Sequence, residues 1–133
     1  MKSLQDEVRI ELFRTLHVPA ARVWEALTRP AEISKWMKFP ARMELRRGGA
    51  VHIDFGPEGA LEGVICFLDP GHCLAYTWGE SIVKWEVGHA GTSTALRLIH
   101  NGVKQPHAEG LRDGWDGFLD QLEEFLADPA AAS

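Results

Sequence analysis

Proton transfer is the chemistry that the side chains of this sequence could most directly perform. His107 falls on the same arc of a predicted helix as Phe118, so it could orient a ligand or act as a general base beside an apolar surface. The alternative is a histidine that caps the start of that helix. His52 and Asp54 alternate with apolar residues along a predicted strand, a pattern that directs both to solvent. We therefore predict no catalytic residue, and the sequence favours a binding protein over an enzyme.

The motifs of metal sites and of nucleophilic catalysis are missing. Cys66 and Cys73 are separated by six residues, as are His100 and His107, and no second pair completes a zinc ligand set. The Arg-Arg-Gly-Gly segment lies in a predicted hairpin and not between a strand and a helix, so it is no phosphate-binding loop. A Gly-x-Ser-x-Gly elbow does not occur either. We expect no metal, no cofactor and free cysteine thiols.

Aromatic side chains are the stronger candidates for binding. The chain has five tryptophans in 133 residues, and apolar burial with ring stacking could hold a flat or lipid-like molecule. For each ring the alternative is a plain aromatic core. The predicted ligand-binding residues are Trp36, Phe39, Ile65, Phe67, Tyr76, Trp78, Trp85, His107, Leu111, Trp115 and Phe118.

The segment HAEGLRDGWDGFLDQLEEFL, from His107 to Leu126, predicts a long amphipathic helix. At about 100° per residue, its apolar residues share one arc and its acidic residues the opposite arc. Gly110, Gly114 and Gly117 run between the two arcs, and each costs roughly 1 kcal/mol relative to alanine in a helix interior. That cost indicates either close packing of another backbone or space for a ligand. We expect this glycine stripe to face the sheet margin or a void.

Alternating apolar residues upstream of this helix predict seven antiparallel strands. Two short helices follow the first strand, one beginning after Pro19 and the other at Pro30. The turn signals between the later apolar runs divide them into separate strands. The predicted strands are about Val8–Val18, Ala41–Arg46, Ala50–Phe55, Leu61–Leu68, Cys73–Trp78, Ile82–Val87 and Thr94–His100.

A turn centred on Pro70 and Gly71 would set the register of the central hairpin. It pairs Phe67 with Leu74 and Ile65 with Tyr76, which makes one face of the hairpin apolar. That face needs a cover, and the apolar arc of the terminal helix provides one. The predicted fold is α+β: a curved antiparallel sheet wrapped around a long C-terminal helix. We expect a single domain over residues 1–133, with an ordered core from about residue 7 to 127.

Composition and charge describe one ordinary globular domain. The chain is 45% hydrophobic and 25% charged, and its net charge of −5 disfavours binding to nucleic acid. No apolar stretch reaches the length of about 20 residues that a membrane-spanning helix needs, and the N-terminus has no signal-peptide hydrophobic region. We therefore expect a cytoplasmic protein with no membrane span and no nucleic-acid partner.

Four segments carry a family resemblance: VWEALTRPAEISKW, RRGGAVHIDF, LEGVICFLDPGHCLAYTW and the terminal helix. Together they resemble the START/Bet v-like (SRPBCC, helix-grip) superfamily, and within it the branch named for the C-terminal domain of the activator of heat-shock-protein-90 ATPase homologue. The resemblance covers about Val8 to Leu126. It implies a cavity between the sheet and the long helix, with ligand access beside the two early helices. Members of the superfamily include lipid and hormone carriers, polyketide cyclases and chaperone cofactors.

Three functions are therefore open at the level of the sequence. The first is non-enzymatic binding of a small hydrophobic or aromatic molecule in the implied cavity. The second is a cyclase or hydratase in which His107, Tyr76 or another polar group moves a proton. The third is a co-chaperone module that contacts a chaperone through its outer surface. A homodimer is compatible with each of them.

Overall fold

Residues 7–128 are described by the computed structural model of the chain, so the outermost parts of the predicted 1–133 domain lie outside the described residues. The predicted order of one strand, two short helices, six strands and one long helix is confirmed. The elements are β1 (Glu7–Leu16), α1 (Ala20–Thr28), α2 (Pro30–Met37), β2 (Ala41–Met43), β3 (Ala50–Asp54), β4 (Ala60–Asp69), β5 (Cys73–Trp78), β6 (Ser81–Ala90), β7 (Ser93–Lys104) and α3 (Gln105–Ala127), with a 3-10 turn at Gly56–Glu58.

The seven strands form one antiparallel sheet in the order β1-β7-β6-β5-β4-β3-β2. Every pairing except that of β1 with β7 joins strands that follow each other in sequence. The first strand therefore closes the sheet against the last, and β7 leads directly into α3. The sheet curves around α3, which gives the α+β helix-grip architecture.

Proline positions define the two short helices. Pro19 precedes α1 and Pro30 is the first residue of α2, where a missing backbone N–H costs no helical hydrogen bond. Lys38 ends α2 in the left-handed region, with a φ of 67°. The indole N–H of Trp36 donates to the carbonyl of Ala26 at 2.7 Å, which fixes α2 against α1. This arrangement directs the Trp36 ring into the interior.

The apolar arc of α3 covers the concave face of the sheet. Trp115, Leu119, Leu122 and Leu126 are its buried residues, and they share one core with inward-facing residues of β5, β6 and β7. On the other flank of the helix, Arg14 of β1 bonds Asp116, Asp120 and Glu123 at 2.5 to 3.0 Å. The ion pairs fix the position of the helix edge, while apolar burial supplies most of the stabilisation.

The predicted register of the central hairpin is correct at Ile65 and Tyr76 and wrong at Phe67. A β-turn runs from Asp69 to His72, with Gly71 at a φ of 83°, so the loop holds three residues and not two. Leu74 consequently pairs with Leu68. A bulge at Cys66 absorbs the extra residue and restores the expected pairing at Ile65.

The same bulge reverses the face that Phe67 presents. Phe67 pairs with Ala75 and is 47% exposed on the outer surface, and Leu68 replaces it on the concave side. Phe67 therefore does not belong to the interior group of predicted binding residues.

The expectation for the glycine stripe of α3 is also wrong. Gly110 and Gly114 are exposed, Gly117 is half-buried, and a Cβ built on any of the three meets no atom within 4 Å. Neither a close backbone nor a cavity wall therefore accounts for them.

Within residues 7–128, no helix combines the length and the apolar character needed to cross a membrane.

Because the space beside Gly114 is open, we expect Gly114→Ala to raise the free energy of unfolding by about 0.5–1 kcal/mol. The gain comes from the smaller backbone entropy of the unfolded chain. Urea unfolding at equilibrium measures it. The matched control is Gly63→Ala, because a Cβ there would lie 2.2 Å from the carbonyl oxygen of Thr77, so this variant should lose stability. Loss of stability in Gly114→Ala would contradict an exposed position.

Candidate ligand-binding site

A cluster of aromatic rings fills the space between the sheet and the helices. Trp115 of α3 is at its centre, with ring centroids 5.1 Å from Trp78, 5.6 Å from Trp85 and 5.9 Å from Phe118. Trp36 contacts both Trp85 and Phe118 edge to face. Strands β5 and β6, helix α2 and helix α3 each contribute to the cluster. Five of the eleven predicted binding residues are thereby in one connected group.

Behind this cluster lies a small inner cavity, between the early helices and the β2–β3 edge of the sheet. Its volume is about 10 Å³, roughly the space of one water molecule. The interior is therefore filled by side chains in this structure. The residues that line the inner cavity are Leu27, Ile33, Trp36, Met37, Ala41, Arg42, Met43, Val51, Ile53, Tyr76 and Trp85.

Four half-buried rings form the boundary between this interior and solvent, and we call them the aromatic mouth: Phe39, Phe55, Trp78 and Phe118. The centroid of Phe39 lies 5.1 Å from that of Phe55 and 6.5 Å from that of Phe118. Phe55 in turn lies 5.9 Å from Trp78. The rings of the mouth thus contact one another in a chain.

Trp78 separates two surface grooves. The first, the Trp78 groove, has a volume of about 280 Å³ and runs along the start of α3, where His107 and Leu111 line it with Ser81 and His100. The second has a volume of about 440 Å³ and lies on the Phe55 side. Trp115 contacts Trp78, which lines the groove, and Trp85, which lines the inner cavity, so three tryptophan rings in contact lie between the two spaces.

His100 is the buried polar residue of this region, and its hydrogen bonds fix its tautomer. Trp115 donates its indole N–H to Nδ1 of His100 at 2.9 Å, so Nδ1 must carry the lone pair. The other ring nitrogen, Nε2, therefore holds the proton and donates to Oγ of Ser81 at 2.7 Å. Ser81 completes the chain by donating to the carbonyl of Trp78 at 2.6 Å.

This network rules out a serine nucleophile activated by His100. A general base needs a free lone pair facing the hydroxyl, and the nitrogen that faces Ser81 carries a proton instead. Burial lowers the pKa of His100 to about 4, which keeps the ring neutral in neutral solution. The pair supports structure and not acyl transfer.

Tyr76 is the other polar group in the interior. Its hydroxyl oxygen accepts the indole N–H of Trp85 at 3.0 Å, and both side chains are buried. Burial raises the pKa of Tyr76 to about 12, against the opposing effect of the Trp85 hydrogen bond. The hydroxyl therefore keeps its proton in neutral solution.

The structure places eight of the eleven predicted site residues in three regions. Trp36, Tyr76 and Trp85 line the inner cavity, Phe39 and Phe118 belong to the mouth, and Trp78, His107 and Leu111 line the Trp78 groove. Trp115 lies between these regions. Ile65 is fully buried on the concave face, and Phe67 lies outside.

Sequence reasoning missed His100 and Phe55. His100 continues the alternation of Leu96 and Leu98, which should have placed it on the apolar face of β7. Phe55 follows Val51 and Ile53 in the same way, although it lies one residue beyond the end of β3. In both cases the period-two alternation along the strand could have identified the residue as facing the interior.

Family membership follows from a match to a whole-domain pattern. Residues 17–127, from the end of β1 to the last residue of α3, match the family described as "Activator of Hsp90 ATPase homolog 1-like protein". The chain belongs to this family. No curated protein sequence matches it.

Solved structures related to this family member share its fold. Protein MLL2253 from Mesorhizobium loti is 25% identical, with a TM-score of 0.83, over 90% of this chain and 97% of the other. CalU16 from Micromonospora echinospora is 23% identical, with a TM-score of 0.79, over 95% and 80%. DynU16, from the dynemicin biosynthetic locus, is 20% identical, with a TM-score of 0.82, over 90% of this chain and 47% of its own.

The depressed pKa of His100 makes stability depend on pH. Between the ordinary value of 6.5 and about 4, the unfolded state binds a proton that the folded state does not, so the free energy of unfolding falls as pH falls through this window. The loss is on the order of 3 kcal/mol. Urea unfolding of wild type and His100→Gln at several pH values measures it, because the variant should lose this part of the slope. Val64→Thr, at an exposed position without a titratable group, is the control and should keep the wild-type slope.

Proposed function

We propose that this family member binds a small apolar or aromatic molecule between the concave face of the sheet and its helices, without carrying out chemistry on it. The observation that supports this most is the continuous aromatic path from the mouth to the inner cavity. Such rings offer flat apolar surfaces on which a ligand can stack. Trp78, Trp115 and Trp85 form one line along this path.

Binding in the interior requires the closed structure to open. A cavity of about 150 Å³ holds a molecule the size of benzene, far more than the 10 Å³ of the inner cavity. The rings of the aromatic mouth are the side chains best suited to move, because they are half-buried and contact one another. Met37 and Met43 line the inner cavity with unbranched side chains that adapt readily to a new shape.

Open space beside the mouth is available for this movement. In a helix, side chains lean towards the N-terminus, so Phe118 leans over the turn that contains Gly114. Nothing lies within 4 Å of a Cβ position at Gly114 or Gly117. The glycine stripe is thus compatible with an outward swing of Phe118, although it does not line a cavity.

The polar groups of the interior favour binding over catalysis. Both ring nitrogens of His100 are hydrogen-bonded, and the ring is neutral at neutral pH because of its lowered pKa. Tyr76 holds its proton because of its raised pKa. Catalysis by a cyclase or hydratase would need a group that exchanges a proton near neutral pH, and neither of these two is poised to do so.

Contact with a chaperone is the second candidate, and it comes from the family description. It would use the outer surface, where Phe13, Val64, Phe67 and Ile82 are exposed apolar residues that a protein partner could cover. Titration of a purified Hsp90-type ATPase tests it directly. An increase in ATP hydrolysis that Phe67→Ser removes would support this candidate, and no change in hydrolysis would count against it.

Removal of one ring from the mouth should speed ligand exchange. In Phe39→Ala the contacts with Phe55 and Phe118 are lost, and two ring contacts are worth about 1–3 kcal/mol together. We expect N-phenyl-1-naphthylamine to associate and dissociate about tenfold faster than in wild type. Stopped-flow fluorescence measures both rates.

The matched control is Phe13→Ala, the same substitution on the outer surface, where the ring is 67% exposed. Its rates should equal those of wild type. Two results would contradict the proposal: no saturable binding to wild type, or equal acceleration in both variants, since the latter would place the probe on the surface.

A further inference from the structure

The hydroxyl of Tyr76 is a buried donor without a protein acceptor. Tyr76 is 4% exposed, and its oxygen accepts from Trp85, but among residues 7–128 nothing accepts the Tyr76 O–H itself. Leaving a buried donor unpaired is costly, so such a group usually has a partner from outside the chain. Tyr76 and Trp85 both line the inner cavity, which is where such a partner would lie.

The two indole N–H groups around the inner cavity already have partners, and the Arg42 side chain is directed away from it. The indole N–H of Trp36 is bonded to the carbonyl of Ala26, and that of Trp85 to Tyr76. Arg42 lies between Ala41 and Met43 on β2, so strand alternation directs its side chain to the outer face, and the residue is exposed. The remaining lining is apolar. Among the buried side-chain donors of the described lining, the Tyr76 hydroxyl is thus the one without a partner.

We infer that the inner cavity selects neutral, mainly apolar molecules that carry a hydrogen-bond acceptor, such as a ketone or ester carbonyl, and that Tyr76 donates to it. This rests on the proposed function, because it assigns the ligand class of the same interior. An acceptor pairs the free O–H, whereas a ligand donor would leave it unpaired. A carboxylate is disfavoured because one hydroxyl cannot replace the hydration of a buried charge.

The test uses two probes of equal shape, 2-acetylnaphthalene and 2-isopropenylnaphthalene, which differ by C=O against C=CH₂. The readout is the ratio of the two affinities. A general loss of stability lowers both affinities by the same factor and leaves this ratio unchanged. Tyr76→Phe alone would free the Trp85 N–H, which could then replace the hydroxyl as donor. The comparison is therefore made in Trp85→Phe, with and without Tyr76→Phe, after urea unfolding has shown that both variants fold cooperatively.

We expect the ketone-to-alkene affinity ratio to be about tenfold lower in the double variant Trp85→Phe/Tyr76→Phe than in Trp85→Phe alone. An unchanged ratio would overturn the role of Tyr76 and leave the proposed function intact. Failure of both probes to bind wild type would overturn both. Tighter binding of 2-naphthoate than of the ketone would overturn the assignment to neutral acceptors.

A measurement on wild type keeps the inference testable if the double variant does not fold. The carbonyl stretching band of bound 2-acetylnaphthalene, read by isotope-edited infrared difference spectroscopy, should lie at lower frequency than in an alkane. That shift reports a donated hydrogen bond in the bound state. A band at the alkane position would show that no donor reaches the carbonyl, and it would overturn the inference.

Discussion

The interior of this protein depends on the packing of Trp115 against β5, β6 and β7. Its indole N–H bonds His100 on β7, and its ring packs on Trp78 of β5 and Trp85 of β6. One side chain of α3 therefore contacts three strands of the sheet. The same ring connects Trp78, which lines the Trp78 groove, with Trp85, which lines the inner cavity.

The polar groups of the interior are uncharged because they are hydrogen-bonded to one another and because burial favours their neutral forms. Ser81, His100 and Trp115 satisfy one another in a chain that ends on a backbone carbonyl, so neither ring nitrogen of His100 is free to act as a base. Burial moves the pKa values of His100 and Tyr76 in opposite directions, and both shifts favour the uncharged form. The interior is therefore an apolar space in which the His100 and Tyr76 side chains are held by hydrogen bonds and uncharged.

Much of the fold could be predicted from the sequence because its elements are strongly patterned. Period-two alternation predicted the strands, the prolines predicted both short helices, and the apolar arc of α3 predicted its buried face. The face of Phe67 could not be predicted in this way. The observed hairpin has a three-residue loop and a compensating bulge at Cys66 where a two-residue loop was expected. The two arrangements differ over only a few residues, yet the observed one directs the Phe67 side chain to the opposite face of the sheet.

The candidate site was harder to predict than the fold. It depends on how the volumes of side chains pack together and on which side chains form hydrogen bonds, and the periodicity of the sequence encodes neither. Aromatic composition located the rings, but whether large side chains leave a cavity between them is decided by three-dimensional packing. The tautomer of His100 depends on Trp115, fifteen residues away along the chain, and no local pattern encodes that pairing. The surroundings of the glycine stripe were predicted wrongly, because helix propensity gives the free-energy cost of a glycine in a helix but not the reason why the glycine is there.

The glycine stripe has a consequence for how firmly the two halves of α3 are held. Gly110 and Gly114 weaken the first half and Gly117 lies just past the midpoint, whereas Leu119, Leu122 and Leu126 give the second half a continuous buried face. In that first half Trp115 is the one buried residue. Local opening of α3 should therefore cost least free energy at its start, where His107 and Leu111 form one wall of the Trp78 groove.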